Sequence, residues 1–291
     1  MPANTDYYCI DDNYSEEQIL IRNATRDWVK KHVKPHIEEH FQRAETPSYL
    51  VKELSNIGAF GLIIPENYGG VGADYISFGL MMQELEKGDS SIRVISSIQT
   101  SLVMYAIYKF GSEEQRAKYL PKLATGEMLG AFGLTEPDFG SNPSSMHSYY
   151  KEDGDNIVIN GSKMWIGNAE TADIAIIWIK DESAEVRGVI IETKNITNFT
   201  TTTLKDKWSF RSSKTGELVF SDSVVSKDQV LAKSTSIQNA YECLNIGRYA
   251  VAWGSIGIAM ECYETALQYS KERIQFGKPI GSNQLIQKKL T

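Results

Sequence analysis

The spacing of apolar residues changes twice along this chain of 291 residues and divides it into three parts. From Ser15 onward, apolar residues recur at intervals of three and four, as on one face of a helix. They later alternate with polar residues, as in half-buried strands, until the helical interval returns at Ile237. The sequence therefore predicts an α+β multidomain protein with a helical N-terminal domain (1–130), a middle antiparallel β-domain (131–236) and the first part of a C-terminal helical bundle (237–291).

Individual residues add local signals to this pattern. Ser15 precedes two glutamates at the start of the first helical stretch, where a hydroxyl caps the helix and acidic residues favour its N-terminus. Pro35 is expected to kink or divide that stretch, because proline lacks the amide hydrogen that a helix interior needs. Asn160-Gly161 lies between two β-rich runs and predicts a tight hairpin turn.

The composition limits the kinds of partner. With 30 Lys and Arg against 37 Asp and Glu, the net charge is −7. This charge argues against nucleic acid as a partner. A local basic pocket that binds a phosphorylated small molecule remains compatible with it. No apolar run reaches the roughly 18 residues that cross a bilayer, and the N-terminus shows no secretion signal. Cys9, Cys243 and Cys262 are too few and too scattered for a disulfide framework or a zinc site. We expect a cytoplasmic protein with no membrane partner.

Three histidines show a metal-binding spacing. His36, Glu39 and His40 fit the H-x-x-E-H pattern of some zinc peptidases, and His32 lies one turn earlier. However, Pro35 interrupts the segment, its other residues are highly charged, and no distant third-ligand motif accompanies it. We interpret the segment as a solvated helix face and predict no metal site.

Two segments carry the strongest functional signal. FGLTEPDFGSN (132–142) begins as an apolar strand and breaks after Leu134 into small polar residues. Hydroxyls and backbone N–H groups at such a strand end can bind the polar edge of a flat ring. KMWIGNAE (163–170) places Trp165 at the end of a later strand, where its indole can stack on the same ring. Together they predict a cofactor cleft between the helical domains.

A further group of residues, Glu86, Arg93 and Ser97, lies where one predicted helix ends and the next begins. Arg93 and Ser97 are one turn apart on the same face, and a guanidinium offers a planar fork of donors to a carboxylate. From the spacing alone, we favour a surface ion pair over a carboxylate site.

In this order and at this spacing, the segments resemble those of the acyl-CoA dehydrogenases over nearly the whole chain. The similarity is carried by GLTEPDFGSN (133–142), KMWIGNA (163–169) and RIQFGKPIGSNQLIQKKL (273–290). Several stretches, including CLNIGRYAVAWG (243–254), are closer to the glutaryl-CoA dehydrogenases than to fatty-acyl members. The resemblance implies a helical domain, a β-domain and a C-terminal four-helix bundle, with FAD bound between them.

The resemblance also implies which residues bind FAD. The implied contacts within one subunit are Phe132, Leu134, Thr135, Gly140, Ser141, Trp165, Ile166 and Gly167. Arg273, Phe276 and Gln284 match positions that hold the FAD of a neighbouring subunit, which implies a homo-oligomer, usually a tetramer.

For the acyl-CoA substrate, the resemblance implies two sets of contacts. Tyr241, Leu244, Asn245 and Arg248 match the stretch that lines the CoA channel, and Ser141 is shared between FAD and substrate. Glu86, Arg93 and Ser97 match three residues that bind the distal carboxylate in glutaryl-CoA dehydrogenases, so the carboxylate interpretation replaces the surface ion pair.

The implied reaction is the FAD-dependent α,β-dehydrogenation of a short-chain dicarboxylyl-CoA thioester. Glutaryl-CoA would be converted to crotonyl-CoA with decarboxylation, and the electrons would pass to an electron-transfer flavoprotein. The family's catalytic glutamate lies later in the bundle, and the last helix stops without a cap. We therefore expect an incomplete, catalytically inactive chain, with no catalytic residue named and the base lying beyond Thr291.

A second departure from the family pattern concerns Gly167. Dehydrogenases usually carry Thr or Ser at this position, and its hydroxyl bonds to the flavin. Some short-chain acyl-CoA oxidases have glycine there, as this chain does. The alternatives are therefore an oxidase, a non-decarboxylating glutaryl-CoA dehydrogenase and a non-catalytic acyl-CoA-binding fragment.

Overall fold

The computed structural model describes residues 6–291 and has helices towards both ends of the chain and a sheet between them. The α-helices in this part of the chain are α1 (Glu16–Trp28), α2 (Ile37–Arg43), α3 (Ser48–Asn56), α4 (Tyr75–Gly88), α5 (Ser90–Ser97), α6 (Tyr105–Phe110), α7 (Glu113–Ala124), α8 (Ile237–Glu272) and α9 (Gln284–Leu290). The strands are β1 (Gly130–Gly133), β2 (Tyr149–Asp153), β3 (Asn156–Gly167), β4 (Ile174–Lys180), β5 (Val186–Glu192), β6 (Phe199–Thr203), β7 (Thr215–Ser226), β8 (Ile274–Gln275) and β9 (Lys278–Pro279). The predicted order of helical, β and helical segments is confirmed.

The start and the interruption of the first helix follow from local sequence. The hydroxyl of Ser15 accepts the Gln18 amide (3.2 Å), and the Gln18 side chain accepts the Ser15 amide (2.9 Å), which completes a capping box. After α1 the backbone widens into a π-helical turn over Val29–Val33 and leaves the helix in a turn that contains Pro35. The predicted cap and the predicted interruption are both confirmed.

The strands β1 to β7 form one sheet in the order β1-β4-β2-β3-β7-β6, with β5 also paired to β4. It is antiparallel, as predicted, in the pairs β2–β3, β3–β7, β4–β5 and β6–β7. However, β1 runs parallel to β4, with Phe132 opposite Ile176. The residues after β1 then run beside β3, where the Met164 amide donates to the Thr135 carbonyl (2.8 Å). This topology brings the two predicted cofactor segments together.

The hairpin predicted at Asn160-Gly161 is wrong. Strand β3 continues through both residues, with a bulge in its pairing to β7. The Asn160 amide group is held by Asp222 of β7 in two hydrogen bonds of 2.9 Å, which replaces the turn that this dipeptide would form alone. Gly161 adopts a φ of +139°, which suits a bulge. The hairpin turn lies earlier, between β2 and β3, where Gly154 has a φ of +59°.

One buried apolar cluster joins the helical and β parts of the chain. It includes Ile107 of α6, Phe132 of β1, Trp178 of β4 and Cys243 of α8. The rings of Phe132 and Trp178 lie 6.1 Å apart between centroids. The end of β1 therefore lies at a junction where α8, the N-terminal helices and the sheet meet.

In residues 6–291, no helix is long and apolar enough to cross a membrane. Within the same range, no three His, Cys, Asp or Glu side chains are placed to hold a metal ion. His32 stacks on Trp28, and both His36 and His40 lie against the ring of Tyr49.

Candidate functional site

A cavity of about 350 Å³ lies where the segment after β1, the end of β3 and the start of α8 meet. Every residue of its wall except Pro143 was among those predicted to bind FAD or substrate. The wall consists of Phe132, Leu134, Thr135, Gly140, Ser141, Pro143, Trp165, Ile166, Tyr241, Leu244 and Arg248. The structure thus gathers residues that are about a hundred positions apart in sequence into one surface with hydroxyls, an indole and a guanidinium.

Trp165 lines both this cavity and a second one of about 460 Å³. Its side chain is 66% exposed, and its backbone φ of +59° is unusual for a bulky residue and costs about 1–3 kcal/mol. Backbone strain of this kind persists only where the surrounding structure enforces it, and strained residues cluster at functional sites. At Trp165 the strained backbone places the indole in the walls of both cavities.

The second cavity includes a segment that the sequence analysis missed. Its wall consists of Val94, Ile98, Trp165, Gly167, Lys207, Trp208, Ser209, Phe210, Ser213 and Thr215. Of these, only Trp165 and Gly167 were predicted. The 207–215 segment has no motif of its own, and Trp208, whose indole is exposed in the structure, is the one residue that could have drawn attention to it.

Behind the first cavity lies a buried ion pair that the sequence analysis also missed. The Lys163 ammonium, which is fully buried, donates to Glu136 Oε1 (2.8 Å) and to the Leu134 carbonyl (3.2 Å). Burial lowers the pKa of Lys163 to about 8, although the charge of Glu136 acts in the opposite direction. Burial would raise the pKa of Glu136, but the charge of Lys163 and hydrogen bonds from Lys163, Ser148 and His147 outweigh it and lower that pKa.

The predicted carboxylate-binding group lies outside the walls of both cavities and is buried. Arg93 is 4% exposed, and its Nε donates to Glu86, which also accepts the Ser90 hydroxyl (2.5 Å). The surface ion pair that spacing alone favoured is therefore wrong. The Ser97 hydroxyl lies 3.2 Å from that of Ser101.

Two facts connect Arg93 to the cavities. Its neighbour on α5, Val94, lines the second cavity, as does Ile98 one turn later. Moreover, within residues 6–291 the guanidinium donates a hydrogen bond through Nε alone, and its two Nη groups are not among the fully buried polar atoms without a partner, so they keep some access to solvent. A guanidinium has five N–H donors, so the four on the Nη groups can meet solvent or a ligand.

The start of α8 contributes one side of the first cavity. Tyr241, Leu244 and Arg248 line it, and the Asn245 side chain accepts from Arg248 (3.1 Å) without lining the cavity itself. The helix begins with its own capping box at Ser236, which fixes where these side chains fall.

The residues predicted to contact a neighbouring subunit lie elsewhere. Arg273 and Phe276 belong to the β8–β9 hairpin region after α8, and Gln284 begins α9. None of them lines either cavity, and the Phe276 ring is 97% exposed. Their role remains a prediction.

Comparison with known proteins identifies the family. The acyl-CoA dehydrogenase N-terminal, middle and C-terminal domain families match residues 15–127, 131–223 and 237–291. A glutaryl-CoA dehydrogenase from Desulfococcus multivorans is 36% identical over 290 residues, which cover 96% of this chain and 73% of that protein. An acyl-CoA dehydrogenase from Bacillus subtilis is 36% identical over 280 residues, which cover 95% of this chain and 74% of that one.

The fold agrees with this similarity. The crystal structure of a glutaryl-CoA dehydrogenase from Mycobacterium smegmatis in complex with FADH2 superposes with a TM-score of 0.94. The two chains are 38% identical, and the match covers 97% of this chain and 72% of the other. The chain therefore belongs to the acyl-CoA dehydrogenase family, whose cofactor is FAD.

Proposed function

We propose that this protein binds a short-chain dicarboxylyl-CoA thioester, glutaryl-CoA foremost, for FAD-dependent α,β-dehydrogenation. The observation that carries the substrate class is the buried Arg93, whose Nη groups have no acceptor among residues 6–291. The similarity to two glutaryl-CoA dehydrogenases supports the same assignment. Conversion to crotonyl-CoA with decarboxylation, and transfer of electrons to an electron-transfer flavoprotein, are parts of this proposal.

The residues of the first cavity fit FAD. The exposed, flat indole of Trp165 suits stacking on a flavin, and the hydroxyls of Thr135 and Ser141 suit its polar edge. Gly140 adds backbone without a side chain that would obstruct the approach of the cofactor. When bound, FAD accepts the two electrons that the thioester loses.

The chain's own residues bind and orient the substrate. Arg248, Tyr241 and Leu244 offer a cation, a phenol and an apolar contact at the start of α8, a combination that suits a CoA thioester. The residues lining the two cavities include no Asp or Glu within the described range, so no general base is assigned. Binding experiments are therefore the direct test.

The specificity proposal depends on charge. Glu86 offsets the desolvation of the Arg93 guanidinium, and the two Nη groups can donate in parallel to a carboxylate at the far end of the acyl chain. The butyryl chain is the glutaryl chain without its terminal carboxylate, so butyryl-CoA would leave these donors unused. Arg93 should therefore distinguish the two ligands.

The test is the affinity of the FAD-loaded protein for glutaryl-CoA and for butyryl-CoA, measured by calorimetry. Replacing both partners, Glu86→Gln with Arg93→Met, removes the donors without leaving one charge buried alone. Loss of a charge-assisted contact in a buried site costs on the order of 2–5 kcal/mol. We therefore expect glutaryl-CoA binding to weaken by roughly thirtyfold or more, while butyryl-CoA binding stays near the wild-type value.

The matched control is a second pair between the same kinds of residue. Arg26 donates to both Glu84 oxygens (2.8 and 3.1 Å), and Glu84 is buried on α4, as Glu86 is. The variant Arg26→Met with Glu84→Gln should bind both thioesters as wild type does. If the Glu86 and Arg93 variant weakens binding of both ligands equally, the carboxylate assignment is wrong.

An oxidase remains a second candidate because of Gly167. This residue lines the second cavity and carries no hydroxyl, and a Cβ there would collide with Cδ1 of Ile98. A threonine at 167 therefore needs a smaller residue at 98. The test is the rate at which oxygen reoxidises the reduced, FAD-loaded protein.

If the protein is an oxidase controlled by Gly167, the wild type and Ile98→Ala should both reoxidise fast. The double variant Ile98→Ala with Gly167→Thr should then reoxidise slowly. Slow reoxidation of the wild type would exclude the oxidase, and equal fast rates in all three proteins would exclude control by Gly167.

The oligomer is also part of the proposal. The exposed Phe276 and its neighbours Arg273 and Gln284 would contact the FAD of another subunit in a homotetramer. Phe276→Ala should lower the molar mass measured by light scattering and weaken FAD binding together. A wild-type protein that is monomeric with FAD bound would contradict this part.

A further inference from the structure

Glu136 and Lys163 are buried next to residues that line the first cavity, without lining it themselves. Leu134 and Thr135 line the cavity, and Glu136 follows them with a side chain that turns away from solvent. Lys163 precedes Trp165 and Ile166, which also line the cavity, by two and three positions. The 2.8 Å ion pair between Glu136 and Lys163 therefore joins two of the three segments that form the wall.

The Lys163 ammonium also acts on the backbone. It donates to the carbonyl of Leu134 (3.2 Å) and lies 3.8 Å from the sulfur of Met146. Gly133 makes space for this arrangement, because a Cβ there would lie 3.2 Å from Cγ of Lys163. The position of Leu134, directly after β1, is thus fixed by a side chain from β3.

The Glu136 carboxylate connects the two ends of the loop formed by residues 137–145. Its two oxygens accept the amides of His147 (2.6 Å) and Ser148 (3.0 Å), which follow the 137–145 segment, while Glu136 itself precedes it. That segment delivers Gly140 and Ser141 to the cavity. One carboxylate therefore ties both ends of the loop to each other and to β3.

Stability alone does not account for such a pair. Removing two charges from water costs several kcal/mol, and buried ion pairs are often replaced by apolar residues with no loss of stability. What apolar residues cannot do is hold a backbone carbonyl, two backbone amides and a neighbouring strand in one geometry. The pair lies directly behind the surface where that geometry matters.

We propose that Glu136 and Lys163 are positioning residues that hold Leu134, Thr135 and the Gly140–Ser141 turn in the arrangement that binds the flavin. They act through the backbone and the loop without contacting the cofactor. This inference depends on flavin binding, which the family membership supplies, and is independent of the choice of glutaryl-CoA as substrate.

The test is the double variant Glu136→Gln with Lys163→Met, which removes both charges and keeps similar volumes. We expect a folded protein whose dissociation constant for FAD rises by about tenfold to a hundredfold, since small misplacements of binding groups have effects of that size. The visible absorption of the bound flavin should lose its resolved shoulder as the pocket loosens. The control, Arg26→Met with Glu84→Gln, should change neither quantity.

A second variant covers the case in which the double variant does not fold. Glu136→Asp keeps the charge balance but shortens the side chain by one methylene, so it cannot reach Lys163 and both amides together. It should weaken FAD binding and alter the flavin spectrum in a protein that still folds. A folded variant of either kind with the wild-type FAD affinity and flavin spectrum would overturn the proposal, even if its melting temperature falls.

Discussion

Gly254, a residue of α8, lies against the buried ion pair of α4 and α5. A Cβ at this position would lie 2.8 Å from Glu86 Oε2 and 3.2 Å from Arg93 Nε. Glycine therefore leaves the space in which the two side chains meet. Because α8 also lines the first cavity through Tyr241 and Leu244, one helix supports both parts of the proposed substrate site.

At the scale of the residue, Gly254→Ala should change binding more than stability. Alanine gains about 1 kcal/mol over glycine in a helix, which offsets much of the 1–3 kcal/mol that overpacking costs. The displaced Arg93 should weaken glutaryl-CoA binding by roughly tenfold and leave butyryl-CoA binding unchanged, as measured by calorimetry. Ser255→Ala, at an exposed neighbouring position, is the control. Unchanged glutaryl-CoA binding would show that Arg93 tolerates the methyl group.

At the scale of the element, α7 is attached to β5 through one carboxylate. Glu192 accepts hydrogen bonds from the Lys118 ammonium (2.8 Å), the Tyr119 hydroxyl (2.7 Å) and the Asn195 amide (2.8 Å). The hydrogen bond from Lys118 is the largest of the effects that lower the pKa of Glu192 to about 2. The contact between helix and strand therefore depends on the ionised form of Glu192.

This attachment should depend on pH. Because the folded pKa lies below the ordinary glutamate value of about 4.3, the contribution of Glu192 is fully present above that value and is lost as the pH falls towards about 2. Glu192→Gln should therefore lower the melting temperature at about pH 6 and have a smaller effect at about pH 3. An equal effect at both pH values, measured by calorimetry, would assign the loss to packing instead.

At the scale of the whole molecule, the helical and β parts share one core. Ile176 of β4 is fully buried in the cluster that also contains Ile107 of α6 and Cys243 of α8. A cavity at Ile176 therefore removes contacts from both kinds of structure. Such sharing predicts that the described chain unfolds as one unit.

Ile176→Ala should lower the free energy of unfolding by about 2–5 kcal/mol. Helix content, followed by far-UV circular dichroism, and tryptophan fluorescence, which includes Trp178 of β4, should shift together in urea. Val224→Ala, on an exposed position of the same sheet, should shift neither midpoint by much. Two separate transitions would contradict the shared core.

The sequence alone was enough to predict the features that depend on near neighbours. The cap at Ser15 and the break at Pro35 follow from groups within one helical turn, and the structure confirms both. The change of period defined the helical and β parts, because a repeating apolar face reports which side of an element is buried. The cofactor segments were recognisable because small and hydroxyl-bearing residues follow an apolar strand in one, and a tryptophan stands at the end of a strand in the other.

Only the tertiary structure decided the features that join distant segments. Asn160-Gly161 became a bulge because Asp222 of β7 binds the Asn160 side chain, and no local signal reports that partner. Arg93 is buried because α4 and α8 pack against it. In the sequence, its spacing from Glu86 fits an exposed ion pair equally well.

The same limit applies behind the flavin site. Lys163 is a charged residue in an alternating strand pattern, and nothing near it in sequence distinguishes it from a solvent-exposed lysine. Its role follows from Glu136, 27 positions earlier, which comes within 2.8 Å because the segment after β1 runs beside β3, where the Met164 amide donates to the Thr135 carbonyl. Local sequence determines secondary structure through short-range hydrogen bonds and periodicity, but burial and charge pairing depend on which distant segments pack together.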